Sequence, residues 1–136
     1  MIALDTNVLV RYLVKDDATQ TALAAALVNR VIAAGESLFV SDIVVCETVW
    51  VLRVSYRVGR TEVATLLRQL FRARHLLFRA VDQLSRALDA YAAGKGDFAD
   101  YLIREHARAV DCDTVATFDT VLVKERGFVA VRESLS

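Results

Sequence analysis

Five short runs of β-branched and large apolar residues alternate with longer segments of helical periodicity, and this alternation constrains the fold more than any other feature. The runs Ile2 to Leu4, Leu38 to Val40, Leu76 to Ala80, Thr114 to Thr117 and Phe128 to Val131 read as strands. Between the first two, "DDATQTALAAALVNRVIAAG" carries capping acids at its head and Gly35 at its end, the punctuation of a helix. A second helix is predicted from Ser41 or Asp42 to Gly59, and a third from Thr61 to about Arg72. "DQLSRALDAYAAG" and "DFADYLIREHARAV" supply two more. Strands alternating with helices imply βα units, hence an α/β fold whose parallel sheet of about five strands is covered by helices on both faces. The chain has no proline, no serine/glycine linker and no internal repeat, so one domain over residues 1–136 is expected.

Composition removes several classes. With 55% of residues apolar and a quarter charged, the chain has the means to build a core, which argues against disorder. No stretch approaches the ~20 apolar residues of a membrane span. The segment Met1 to Asp5 meets an acid too early for a secretory signal, so a soluble cytoplasmic protein without membrane association is expected. Cys46 and Cys112 lack CxxC spacing and have only His75 and His106 to join them, which predicts reduced thiols rather than a zinc site.

The formal charge of zero conceals two opposed regions. From Thr48 to Ala80 the chain carries Arg53, Arg57, Arg60, Arg68, Arg72, Arg74 and Arg79 against the single acid Glu62. From Val81 to Asp119 acids dominate, with Asp82, Asp89, Asp97, Asp100, Glu105, Asp111, Asp113 and Asp119. The first region complements phosphate and the second complements cations.

In an open parallel sheet, functional groups collect at the carboxyl ends of the strands. Asp5 follows the first strand there, with Thr6 and Asn7 placed to cap the next helix. Asp119 follows the fourth strand directly. Glu47 lies within the helix after the second strand, in the series Ile43, Val44, Val45, Thr48, Val49, Trp50. Asp100 sits one turn into its helix, with Asp97 three residues earlier on nearly the same face. Each acid also has a structural reading. Asp97 suits an N-cap with Asp100 at the third helical position, as in a capping box. Asp119 suits the cap of a short helix through "TVLVKERG". Glu47 has Arg11 or Arg53 as a candidate partner. Asp5 and Glu47, in apolar surroundings, are expected to be costly unless something pairs with them.

Together the acids favour another account. Carboxylates brought to one end of a sheet repel one another unless a cation lies among them. Oxygen ligands without a histidine cluster suit Mg²⁺ or Mn²⁺. An acidic pocket beside a basic arm points to phosphodiester chemistry by a metal-activated water.

"ALDTNVLVRYL", "SDIVVCETVWVL", "GDFADYLIREHA" and "TVATFD" together resemble the successive acidic motifs of PIN-domain ribonucleases, most closely the VapC-type toxins of toxin–antitoxin pairs. The resemblance covers nearly the whole chain. It implies a three-layer α/β/α sandwich, and metal-dependent endonucleolytic cleavage of RNA to 5′-phosphate and 3′-hydroxyl ends. It matches Asp5, Glu47, Asp100 and Asp119 to the family's catalytic, metal-holding acids. Thr6 and Asn7 match the site-ordering positions after the first acid, and Asp97 is an additional acid of the "DFAD" pattern. The family's "ALIAA" appears here as "YLIREHA", which brings Arg104 and His106 near the site, where solvated surface roles are the first expectation. Homodimers and a cognate VapB-type antitoxin are also implied, with the helices from Glu47 to Arg72 as the candidate contact for RNA and antitoxin. Core packing accounts equally for Val49, Trp50, Leu52, Leu66, Leu67 and Leu70.

A receiver-like Mg²⁺-binding phosphoacceptor module is the alternative. It requires adjacent acids after the first strand, where this chain has Asp5, Thr6 and Asn7, and an aspartate after the third, where Asp82 reads more simply as a helix cap. A haloacid-dehalogenase-type phosphatase requires an aspartate at the place of Asn7.

Overall fold

A computed structural model describes residues 1–135. It resolves into two compact units, Met1–Val81 and the segment from Asp82 onward. In the first unit, β1 (Ile2–Ala3), β2 (Leu38–Val40) and β3 (Leu76–Phe78) form a parallel sheet in the order β1-β2-β3. Ile2 pairs with Leu38, and Leu38 in turn with Leu76. Leu4 prolongs the first pairing by donating its N–H to Phe39 O at 2.8 Å. Helices α1 (Thr6–Val14), α2 (Ala18–Ala33), α3 (Asp42–Val54) and α4 (Arg60–Arg72) connect these strands.

Local chemistry sets the helix limits. The Asp17 carboxylate accepts the Gln20 N–H at 2.9 Å and starts α2. Gly35 stops it in the left-handed region at φ 68°, where glycine meets no Cβ penalty, and Glu36 N–H returns to Val31 O at 3.0 Å. Ser41 Oγ starts α3 by accepting from Val44 N–H. That helix ends at Val54, not at Gly59 as predicted. Arg57 adopts φ 54°, Val58 N–H closes back on Leu52 O at 2.9 Å, and Arg53 donates to Val58 O, so the chain turns before α4. Leu9, Val10, Val28, Leu38, Val40, Val45, Leu52, Val63 and Leu67 are buried.

The second unit begins within α5 (Val81–Ala93) and continues through α6 (Phe98–Ala109), β4 (Val115–Thr117), a 3₁₀ turn at Leu122–Lys124, β5 (Phe128–Ala130) and α7 (Val131–Ser134). Strands β4 and β5 pair in parallel, Val115 with Phe128 and Thr117 with Ala130. Tyr91 meets Phe98 edge to face at 6.3 Å, and Tyr101 meets Phe128 in the same way at 6.3 Å.

The α/β class, with a parallel sheet and helices around it, is as expected. The five-stranded ladder is not: three strands form one sheet and two form another. Strands of only two or three residues leave few ladder positions, and Val131, expected to end the last strand, opens α7 instead. Among the described residues, no helix is long and apolar enough to cross a membrane.

Candidate active site

In the first unit, β1 ends where Asp5 begins α1. Asp5 is the N-cap by its backbone, at φ −79° and ψ 159°, with Val8 N–H reaching its carbonyl at 3.1 Å. Its carboxylate forms no capping hydrogen bond. Thr6, expected as a cap, is instead the first helical residue. It is buried, and its hydroxyl donates to Glu47 Oε1 at 2.9 Å across 41 residues of sequence. A hydroxyl in this position has one strong use, which is to orient that carboxylate. Asn7 is exposed and borders a cavity of about 290 Å³ with Arg11, Gln20 and Leu23.

The apolar surroundings expected for Asp5 and Glu47 are not found, because both are exposed. Glu47 lies on the outer face of α3, where Ile43, Trp50 and Val54 are exposed as well. The apolar neighbours that suggested burial, Val44, Val45, Thr48 and Val49, occupy the opposite face of the same helix. Neither candidate arginine is committed to Glu47. Arg11 donates to Gln20, Asp16 and Tyr56, and Arg53 to the Val58 carbonyl. Beside Glu47, burial pushes the Cys46 thiol up to about 11, with Asp42 and Glu47 adding to the effect.

In the second unit, the "GKGDFAD" segment delivers the acids. Asp97 is the N-cap of α6, and Asp100 Oδ2 accepts the Asp97 N–H at 3.0 Å, the reciprocal arm of a capping box. Asp119 caps the 3₁₀ turn as expected, Oδ1 accepting from Val121 N–H at 2.8 Å and from Leu122 N–H at 3.2 Å. Burial raises the Asp100 pKa first of all. The charges of Asp97, Asp119 and Glu125 raise it further, against the lowering effect of the Asp97 N–H bond. Asp97, Asp100 and Asp119 therefore interact, and Glu125 joins them.

Glu125 was not anticipated, and nothing in the local sequence marks it. Its carboxylate accepts from the buried Tyr101 hydroxyl at 2.6–2.7 Å, and that hydroxyl also takes the Gly96 N–H at 2.9 Å. The backbone crosses this pair so closely that a Cβ on Gly94 would overlap Tyr101 Oη and Glu125 Oε1. Glu105 was missed too, although its register gives it away: Phe98, Tyr101, Leu102 and Glu105 form the buried stripe of α6. Arg86 Nε at 2.6 Å and Arg108 at 2.8 Å neutralise it. Arg104 is not a solvated surface group. It is mostly buried, donates to Arg126 O at 2.6 Å, and lies over the rings of Tyr101 and Phe128 at 5.2 and 5.4 Å. His106 is exposed. Asp82 sits in the first turn of α5 and pairs with Arg86 at 3.6 Å, a helix-start role that leaves the receiver-like alternative unsupported.

Among the described residues, no group of three or more histidine, cysteine or acidic side chains is already arranged to hold a metal ion. The donor chemistry still fits a hard divalent cation: the candidate ligands are all carboxylates, and burial, then the charges of neighbouring acids, raises the pKa of Asp100.

The PIN domain family model matches residues 2–126, across both units. The chain belongs to the PIN-domain family, whose members are generally metal-dependent nucleases. No curated protein sequence matches the chain.

Proposed function

We propose that this protein is a Mg²⁺- or Mn²⁺-dependent endoribonuclease of the VapC type, the toxin of a toxin–antitoxin pair, cutting RNA to leave 5′-phosphate and 3′-hydroxyl ends. Asp5, Glu47, Asp100 and Asp119 are the proposed ligands and catalytic acids. Thr6 orients Glu47, Asn7 orders the site, and Asp97 fixes the start of α6. When bound, the ion supplies charge neutralisation at the phosphate and a lowered pKa for the attacking water.

One observation carries the reading. The same unit treats two acids of α6 in opposite ways: Glu105 is paired with arginines, whereas Asp100, partly buried, has no cationic partner among the described residues and feels the charges of Asp97, Asp119 and Glu125. A purely structural carboxylate calls for the first arrangement, and a cation-binding one for the second.

Thermal melts test this. The raised folded-state pKa of Asp100 means that folding favours its protonated form. The destabilisation is fully present above that raised value and fades as pH falls towards the ordinary carboxylate range. At neutral pH in EDTA, Asp100→Asn, which keeps an oxygen to accept the Asp97 N–H, is expected to melt above the wild type. Mg²⁺ should reverse the order, since a ligand of the folded state stabilises by about 2.7 kcal/mol at a hundredfold excess over its Kd. An Asp100→Asn protein that is destabilised and indifferent to metal would overturn the metal-site reading.

We propose also that the protein works as a homodimer held inactive by a VapB-type antitoxin, with the outer face of α3 and the turn into α4 as the contact region. The exposure of Ile43, Trp50 and Val54 supports this, as does the basic neighbourhood of Arg53, Arg57 and Arg60. If those arginines instead hold RNA phosphates, replacing all three by alanine should weaken RNA binding. The log–log salt slope should then become shallower by roughly 0.7 per lost contact for a single strand. Unchanged RNA affinity with loss of antitoxin binding assigns the segment to the partner.

A further inference from the structure

The second unit holds a cavity of about 300 Å³ lined by Ala93, Gly94, Lys95, Val121, Lys124 and Glu125. Of the three lysines in the whole chain, two line this one space. Both are exposed. The arginines of α5 and α6 are committed within the unit, Arg86 and Arg108 to Glu105 and Arg104 to the Arg126 carbonyl. Lys95 and Lys124 have no such internal partner among the described residues. The carboxylate in the wall, Glu125, is already engaged through both oxygens by the Tyr101 hydroxyl. What the cavity offers a ligand is therefore two exposed ammonium groups beside a satisfied acid.

Its position matters as much as its charge. Lys95 lies two residues before Asp97, and Val121 donates its N–H to Asp119. The cavity is thus lined from both of the segments that carry those acids. A tethered cation beside a metal-holding carboxylate group has an obvious counterpart in a polynucleotide, where successive phosphates are covalently linked. With one phosphodiester at the acids, the next along the strand needs a basic site.

We infer that Lys95 and Lys124 form a phosphate subsite for the nucleotide adjoining the scissile bond, in a cavity bounded by the Gly94–Gly96 turn and the 3₁₀ turn at Leu122–Lys124. The inference rests on the nuclease reading above and adds the residues that seat the strand. Lysine suits the task, because its flexible, point-like charge follows a backbone phosphate without demanding one geometry.

The test compares wild type, Lys95→Ala/Lys124→Ala and Lys95→Arg/Lys124→Arg. Anisotropy with a fluorescein-labelled single-stranded RNA 12-mer in EDTA reads binding, and Mn²⁺-dependent cleavage of total cellular RNA reads activity. The alanine pair is expected to weaken binding about tenfold and to flatten the log–log salt slope by roughly 1.4, at about 0.7 per contact on a single strand. The arginine pair should restore both. Melting temperatures should stay unchanged, since both side chains are exposed. If the wild type binds and cleaves RNA but the alanine pair does so with equal affinity and slope, the subsite is overturned while the nuclease reading stands. Loss of binding to an acidic peptide in place of RNA overturns it in the same way. A wild type that neither binds nor cleaves RNA overturns both.

Discussion

Asp100→Asn and Asp5→Asn are each expected to lower RNA cleavage by roughly two to three orders of magnitude, the scale on which removal of one preorganised electrostatic group acts. On the proposed function, expression of the wild type alone should arrest growth, and expression of either variant should not. The two substitutions probe different units. Asp5 stands at the carboxyl end of β1, with its side chain free of any capping duty, whereas Asp100 holds the Asp97 N–H and sits among Asp97, Asp119 and Glu125. Asparagine preserves size and an accepting oxygen at both positions, so lost activity reads as lost charge. Circular dichroism and the melts described above check that the fold survives. Full cleavage by Asp100→Asn would remove that residue from the proposed ligand set, and Asp97 would be the next to test.

The largest effect on stability is expected at Glu105. Its side chain is 1% exposed and accepts from Arg86 and Arg108, while the mostly buried Arg104 has its Nε 4.0 Å away. Glu105→Ala removes the acceptor and leaves three cations without their common partner. Arg86 and Arg108 are 56% and 43% exposed, so their heads can recover water. The cost should therefore fall below the full 3–5 kcal/mol of a broken buried pair, at about 2–3 kcal/mol. For a chain of this size that corresponds to a fall in Tm of about 8 °C. Urea unfolding of wild type, Glu105→Ala and Glu105→Gln gives the measurement, with glutamine expected between the two because it keeps an accepting oxygen. Cleavage of RNA at low temperature should persist in both variants, which separates this carboxylate from the four proposed as ligands. A change below about 0.5 kcal/mol, the range of ordinary surface substitutions, would show that the network contributes little.

The contrast between Glu105 and Asp100 also shows where the sequence speaks and where it does not. Period and punctuation carry α2 almost to the residue, because Asp17 and Gly35 act through the backbone next to them. The end of α3 was out of reach, since it depends on Arg57 entering the left-handed region, where neither glycine nor asparagine announces the turn. The capping roles of Asp97 and Asp119 were legible because capping is local. The partner of Glu47 was not. Two arginines stood nearer in pattern, and the structure gives it Thr6, a choice made by the pairing of β1 with β2. Nor could pattern reveal that Asp5 and Glu47 lie open to solvent, because an apolar neighbour in sequence can occupy the opposite side of a helix. Glu125 is the extreme case, made relevant only by a tyrosine 24 positions earlier.

The hydrogen bond between Thr6 and Glu47 has a consequence for the timing of synthesis. It closes only after the chain has passed through α1 and α2, laid β2 beside β1, and begun α3. Parallel pairing across such an interval is slow, because the closure entropy of the intervening segment is lost before any contact repays it. Asp100 and Asp119 are translated later still. A ribosome making this chain thus holds an incomplete set of the proposed ligands until all but the last few residues of the match with its family have been polymerised. On the proposed function, the messenger RNA being read would be spared until the last of these acids is made, and the proposed antitoxin would be needed only for finished chains.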